Sequence, residues 1–161
     1  MDKALSNSDI EKMIKTKVLI YPDLFNYKNI YDILKPNGNF VLLYLTKENY
    51  GHWVCVIDHG KSIEFFDSYG IKPDLEFKQI ENRKELDEPF NYLSFLLLMS
   101  NKKIEYNSRE LQEYSANIST CGRHCVMRIL MKDIPIDEYG KILSMDLNKT
   151  PDQIVTEVIN L

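Results

Sequence analysis

The chain has 161 residues, 44% apolar and 27% charged, the balance of one folded domain of ordinary size spanning residues 1–161. Ten Tyr, seven Phe and one Trp exclude disorder over most of the length, and a net charge of −4 supplies no basic field for nucleic acid or anionic lipid. Three cysteines, Cys55, Cys121 and Cys125, are too few for a disulfide framework, so a free thiol and a reducing, intracellular compartment are expected.

The N-terminus has no apolar stretch of the secretory type, so no export is expected. Ser8-Asp9-Ile10-Glu11 has the spacing of a capping box and predicts a helix running to about Lys15. A short helix over 29–34 should follow, stopped by the turn chemistry of Pro36-Asn37-Gly38-Asn39. Three runs rich in aromatic and β-branched residues, 40–45, 53–58 and 62–67, read as strands, the last two joined by the tight loop His59-Gly60-Lys61.

From Lys72 to Glu88, 10 of 17 residues are charged, which suits a solvent-covered excursion. The apolar run 90–99 is about half of the roughly 20 residues a bilayer span needs, so it reads as a buried helix and no membrane insertion is expected. A short strand over 103–106 returns to the sheet. Val126, Ile129 and Leu130 recur at helical spacing, predicting a core helix over 121–132 with Cys121 at its positive end. Helices over 136–144 and 151–159 close the chain, the second with Thr150 as N-cap and Pro151 in its first position. The expected class is α+β, a mostly antiparallel central sheet flanked by helices, with a cysteine at the start of a buried helix.

Gly51-His52-Trp53, Asp67-Ser68-Tyr69-Gly70 and Cys121-Gly122-Arg123-His124-Cys125 together hold a base, an acid and a nucleophile. Cysteine attacks as its thiolate, a minor species at neutral pH for an ordinary thiol, and both an adjacent imidazolium and a helix N-terminus stabilise that anion. A carboxylate on the far ring nitrogen fixes the histidine's tautomer and orientation. His52 opens one strand and Asp67 closes its hairpin partner, so the hairpin brings them together. Gly122 leaves room for a substrate carbonyl near the first helical amides, where an oxyanion hole is readily built.

The order His-Trp, aromatic-Asp-Ser, Gln and Cys-Gly at a helix start resembles the adenain and ubiquitin-like-protein protease group of cysteine peptidases. The Cys121-to-Cys125 stretch, preceded by Tyr106-Asn107-Ser108 and Leu111-Gln112, is most similar to the maturation proteases of virophages, Polinton-type elements and related large DNA viruses. The resemblance covers roughly 40–130. It implies Cys121 as nucleophile, His52 as general base, Asp67 as orienting acid and Gln112 as oxyanion donor, with Trp53 and Gly122 lining the substrate cleft.

The same resemblance implies a thiol endopeptidase that trims capsid and other virion precursor proteins after small residues such as glycine. The alternative is a deconjugase of ubiquitin or a ubiquitin-like modifier with the same triad. Gln112 stands nine residues before Cys121, farther than is usual in the group, so either Ser115 to Ser119 contains a small insertion that bulges out, or Asn117 or a backbone amide takes the donor role. No cofactor is implied, a peptide or nucleic-acid activator is not indicated, and a monomer in the host cytoplasm, a virus factory or the virion is the default expectation.

Other readings are plainer. Cys55 and Cys125 fit core positions, His124 a place behind the reacting groups, His59 a loop, and Glu64 the opposite strand face from Asp67. No metal site is expected, because Cys-x-x-His-Cys lacks the paired knuckles of structural zinc sites, although a thiolate beside imidazole would take up adventitious zinc or mercury.

Overall fold

The computed structural model of the chain describes residues 3–47, 50–75, 91–115 and 119–160. In chain order it contains α1 (Asn7–Met13), β1 (Lys17–Ile20), a 3-10 turn (Tyr21–Asn26), α2 (Ile30–Leu34), β2 (Asn39–Lys47), β3 (Tyr50–Asp58) and β4 (Ser62–Phe66). After these come α3 (Tyr92–Leu98), β5 (Lys103–Tyr106), α4 (Cys121–Leu130), α5 (Ile136–Leu143) and α6 (Pro151–Val158). The five strands form one sheet in sequence order.

The three central strands are antiparallel to one another, and both edge strands, β1 and β5, pair in parallel. The α+β class with its central antiparallel hairpins is as expected; the parallel edges are not visible in the local sequence. A parallel edge strand is reached by a crossover and leaves no hairpin signature, which is why Lys17–Ile20 passes unnoticed as a strand. The 3-10 turn after it was also unanticipated.

Helices cover both faces of the sheet. Val41, Leu43, Trp53, Cys55, Ile57 and Phe66 pack on one face against α1, α4, α5 and α6. On the other, Phe40, Leu42, Tyr44, Val54, Val56 and Phe65 pack against the 3-10 turn, α2 and α3. Burial on both sides explains why the central strands are continuous apolar runs rather than alternating ones.

Two local readings are corrected. The first helix is capped by Ser6, not Ser8: Ser6 Oγ accepts from the Asp9 amide at 3.2 Å while Asp9 Oδ2 accepts from the Ser6 amide at 2.8 Å. The Ser6-to-Asp9 pair has the same three-residue spacing, and aspartate serves the reciprocal bond as glutamate would. The helix over 92–98 is amphipathic rather than buried. Leu93, Leu96 and Leu97 face the core, whereas Phe95, Leu98 and Met99 are exposed. Phe90 and most of the charged excursion lie outside the described residues.

The core helix α4 runs across the first face with Cys121, Cys125, Val126 and Ile129 buried. Its polar side chains are buried too, and each is bound. Arg128 meets the Glu64 carboxylate through Nε at 2.8 Å and Nη2 at 2.7 Å, tying the helix to β4. Arg123 donates to the carbonyls of Ile159 and Lys3, tying it to the C-terminal and N-terminal segments.

Candidate active site

Pairing of Cys55 with Phe66 sets the hairpin register, so His52 extends past the end of β4 and lies beside the turn that starts at Asp67. His52 Nε2 is 2.8 Å from Asp67 Oδ1. A carboxylate only accepts, so Nε2 carries the hydrogen and Nδ1 remains for a second partner. Asp67 is sealed from solvent and also holds its own turn: the same Oδ1 accepts from the Tyr69 amide at 2.8 Å, and Asp67 O accepts from the Gly70 amide at 2.8 Å. Turn-capping and histidine-orienting are thus performed by one carboxylate. Asn107 Nδ2 donates to the Asp67 carbonyl at 2.7 Å and braces the turn from the strand-β5 side.

Cys121 begins α4 at this same edge of the sheet. Its Sγ accepts from the Trp53 amide at 3.5 Å, which places the thiol against the residue that follows His52. Burial of the thiol opposes its ionisation, but the hydrogen bond and charge of His52, with the amides of Trp53 and Gly122, outweigh that and hold Cys121 below the ordinary thiol value. Burial and a hydrogen bond that the Cys125 thiol donates to the neighbouring Cys55 sulfur drive Cys125 the other way, well above it. Two cysteines one helical turn apart are therefore chemically unlike, and both Cys55 and Cys125 occupy the core positions expected of them.

Gln112 is 1% exposed and sits against the Asp67 turn, where its amide and that of Leu111 both donate to Ser68 O. Ser68 Oγ donates to Gln112 Oε1 at 2.7 Å, which fixes the amide's orientation and turns Nε2 toward Tyr69 Oη at 3.3 Å. Tyr69 itself stacks on His52, ring centroids 4.5 Å apart and planes 19° from parallel. Its phenol is pushed up to about 12, chiefly by burial, with Cys121 and Asp67 adding to the shift. Tyr69 was not singled out from sequence, because Asp-Ser-Tyr-Gly reads there as turn chemistry alone. Asn117, the alternative donor, lies outside the described residues.

Trp53 and Gly122, expected to line the substrate cleft, pack against the chain's N-terminal segment. The Trp53 ring is 5% exposed, and its Nε1 donates to the carbonyl of Leu5 at 3.1 Å. A Cβ at Gly122 would come within 3.1 Å of Leu5 Cβ and 3.2 Å of Trp53 Cδ1. The room beside Gly122 is filled by the chain's own N-terminal segment, and close packing is what demands glycine there.

The remaining histidines are paired. His124, fully buried, places Nε2 2.9 Å from Asp152 Oδ1. His59 is more than a loop residue, for its Nε2 is 2.9 Å from Glu64 Oε1. Glu64 is in turn engaged by Arg128, on a different set of partners from Asp67. Among the described residues no His, Cys, Asp or Glu cluster could hold a metal ion, and no helix is long and apolar enough to cross a membrane.

The five-stranded sheet flanked by helices is a fold shared with a solved viral protease. The solved ASFV pS273R protease superposes with a TM-score of 0.55 at 13% identity, over 98% of this chain and 67% of that one. The C-terminal protease domain of yeast Ulp1, solved in complex with Smt3, the yeast ortholog of SUMO, gives 0.42 at 15% identity, over 98% of this chain and 79% of that one. No protein-family model matches the sequence. The chain belongs to the same family as a Sputnik virophage protein, "Uncharacterized protein V9", with which it is 42% identical over 96% of its own length and 93% of the relative's.

Proposed function

We propose that this chain is a viral cysteine endopeptidase in which Cys121 is the nucleophile, His52 the general base and acid, and Asp67 the residue that orients His52. The observation that carries the reading is the Cys121 thiol at the first turn of α4, below its ordinary value through His52, whose far nitrogen is held by a sealed carboxylate at 2.8 Å. In the acylation step the thiolate sulfur bonds to the scissile carbonyl carbon, and the amide C–N bond breaks as His52 passes its proton to the leaving nitrogen. Water, deprotonated by His52, then attacks the thioester and the thiol leaves, restoring the starting state.

The oxyanion formed in each step would be met by amides at the start of α4 and by Gln112 Nε2, whose orientation Ser68 sets. The substrates we assign are capsid and other virion structural precursors, cut after small residues such as glycine. The virophage relative and the viral protease of like fold support a viral role. Such an enzyme would act as a monomer without a cofactor, in the infected host cell or packaged in the virion.

The test is the alkylation rate of each cysteine against pH, read by peptide mass spectrometry, in the parent chain and in His52→Ala. Selective reaction of Cys121 that disappears with His52 supports the catalytic pair. Three thiols that behave alike would refute it. Incubation with a capsid precursor and, in parallel, with a ubiquitin-like modifier fusion then decides between precursor processing and deconjugation.

A further inference from the structure

The reaction outlined above does not use Asp152, a carboxylate 2% exposed in the first turn of α6. It accepts three hydrogen bonds that converge from separate parts of the chain. Thr120 Oγ1, on the residue before the nucleophile, donates to Oδ1 at 2.6 Å. His124 Nε2, one turn into α4, donates to the same oxygen at 2.9 Å. The amide of Glu113, the residue after Gln112, donates to Oδ2 at 2.9 Å. Residues 114–119 connect the last of these donors to the first, so Asp152 clasps the base of the very stretch that lengthens the Gln112-to-Cys121 spacing.

We infer that Asp152 is a positioning residue for acyl transfer, a single carboxylate that fixes the Gln112 segment against the first turn of the Cys121 helix. This rests on the protease reading. Loose donors would still bind a carbonyl oxygen, but they would not meet the oxyanion in the geometry that lowers the barrier. The clasp is specific to a carboxylate, because all three partners approach as donors. In Asp152→Asn the amide oxygen can keep the Glu113 N–H only if the NH2 group faces Thr120 and His124, which must then become acceptors. His124 would have to move its hydrogen to Nδ1, a buried atom that has no hydrogen-bond partner.

Two probes separate positioning from mere folding. Iodoacetamide is attacked by the thiolate at a saturated carbon and needs no oxyanion donor, whereas p-nitrophenyl acetate transfers its acetyl group to Cys121 through a tetrahedral oxyanion, releasing p-nitrophenolate. In Asp152→Asn the acylation rate should fall about 10- to 100-fold while the alkylation rate against pH stays within about twofold of the parent. Thr120→Val, which removes one of the three bonds at constant shape, should lower the same ratio by a smaller factor and serves if Asp152→Asn does not fold. Val155→Ala, which hollows the buried side of the same helix, should lower Tm yet leave the ratio unchanged.

An acylation-to-alkylation ratio unchanged in both clasp variants would overturn the inference, as would an equal fall in Val155→Ala. If Cys121 of the parent shows no His52-dependent reactivity, the protease reading fails and takes this inference with it. That outcome is visible in the parent and His52→Ala chains before any Asp152 variant is made.

Discussion

Replacing Asp67 by asparagine tests how the His52 ring is held. The Asp67 Oδ1 atom accepts two hydrogens at once, from His52 Nε2 and from the Tyr69 amide, each at 2.8 Å. A backbone N–H cannot become an acceptor, so in Asp67→Asn the amide oxygen must occupy the Oδ1 position and the NH2 group must point away. His52 then keeps its hydrogen on Nε2 and its ring orientation, stacked on Tyr69. What is lost is the charge. A hydrogen bond to an ionised partner is worth about 1.5–3 kcal/mol and a neutral one about 0.5–1.5, so roughly 1–2 kcal/mol of support for the thiolate–imidazolium pair disappears. At about 1.4 kcal/mol per factor of ten, Cys121 alkylation near neutral pH should slow about tenfold, with its pH profile moved upward. The assay is iodoacetamide labelling followed by peptide mass spectrometry across pH. A loss near the 10⁴-fold seen where the equivalent substitution traps the wrong tautomer would refute the Tyr69 lock. An unchanged rate would show that the carboxylate does not couple to the thiol.

Four further outcomes follow from the packing and burial. Gly51→Ala puts a Cβ 1.7 Å from the backbone carbonyl oxygen of Tyr44 on the neighbouring strand, so β2 and β3 must separate beside His52. Urea unfolding should show a loss of about 3 kcal/mol or more. Gly60→Ala, with open space but a φ of +87°, should lose about 1–2 kcal/mol. Glu64→Gln leaves Arg128 charged and buried, and should cost about 3–5 kcal/mol, whereas Glu64→Leu combined with Arg128→Met should cost less than the sum of the singles in a double-mutant cycle. The buried Cys125 thiol keeps its proton in the fold at pH values where an unfolded thiol, near 8.5, would lose it. Its contribution to stability is thus complete below that pH and falls by up to about 1.4 kcal/mol per unit above it. Urea midpoints between pH 7.5 and 9.5 should decline less steeply in Cys125→Ala than in the parent.

Elements whose signals are local were legible in the sequence. The β3–β4 hairpin announces itself by two apolar runs around a Gly-bearing loop, and α6 by Thr150 and Pro151, where the observed cap bond runs from the Gln153 amide to Thr150 Oγ1. The juxtaposition of His52 and Asp67 was legible for the same reason, since a hairpin's geometry ties its two open ends together. Groups recruited across long separations were not. Nothing near residue 152 advertises a bond to Thr120, and nothing near residue 5 advertises a carbonyl that takes the Trp53 indole hydrogen. Parallel edge pairing fails for the same cause: the partner of β1 is 23 positions away, and no turn residue encodes the register.

Two histidine–carboxylate pairs flank Cys121 with nearly equal separations, 2.8 Å for His52–Asp67 and 2.9 Å for His124–Asp152, so distance does not decide which is the base. Burial does. His52 keeps 7% of its surface, beside Cys121 at 8%, which on the proposed mechanism leaves substrate and leaving amine a path to its ring. His124 keeps none, and burial lowers its proton affinity despite the Asp152 bond, so it remains neutral at the pH where a base must cycle its charge. Lying on the same helix as Cys121 and tied through Asp152 to Thr120, it would on the proposed mechanism hold the start of that helix in place. Substituting His124 should therefore act through the Asp152 clasp, lowering acyl transfer while sparing thiol alkylation. Substituting His52 should abolish both. A His124→Gln variant that lost alkylation of Cys121 as fully as His52→Ala would reverse the assignment of the two rings.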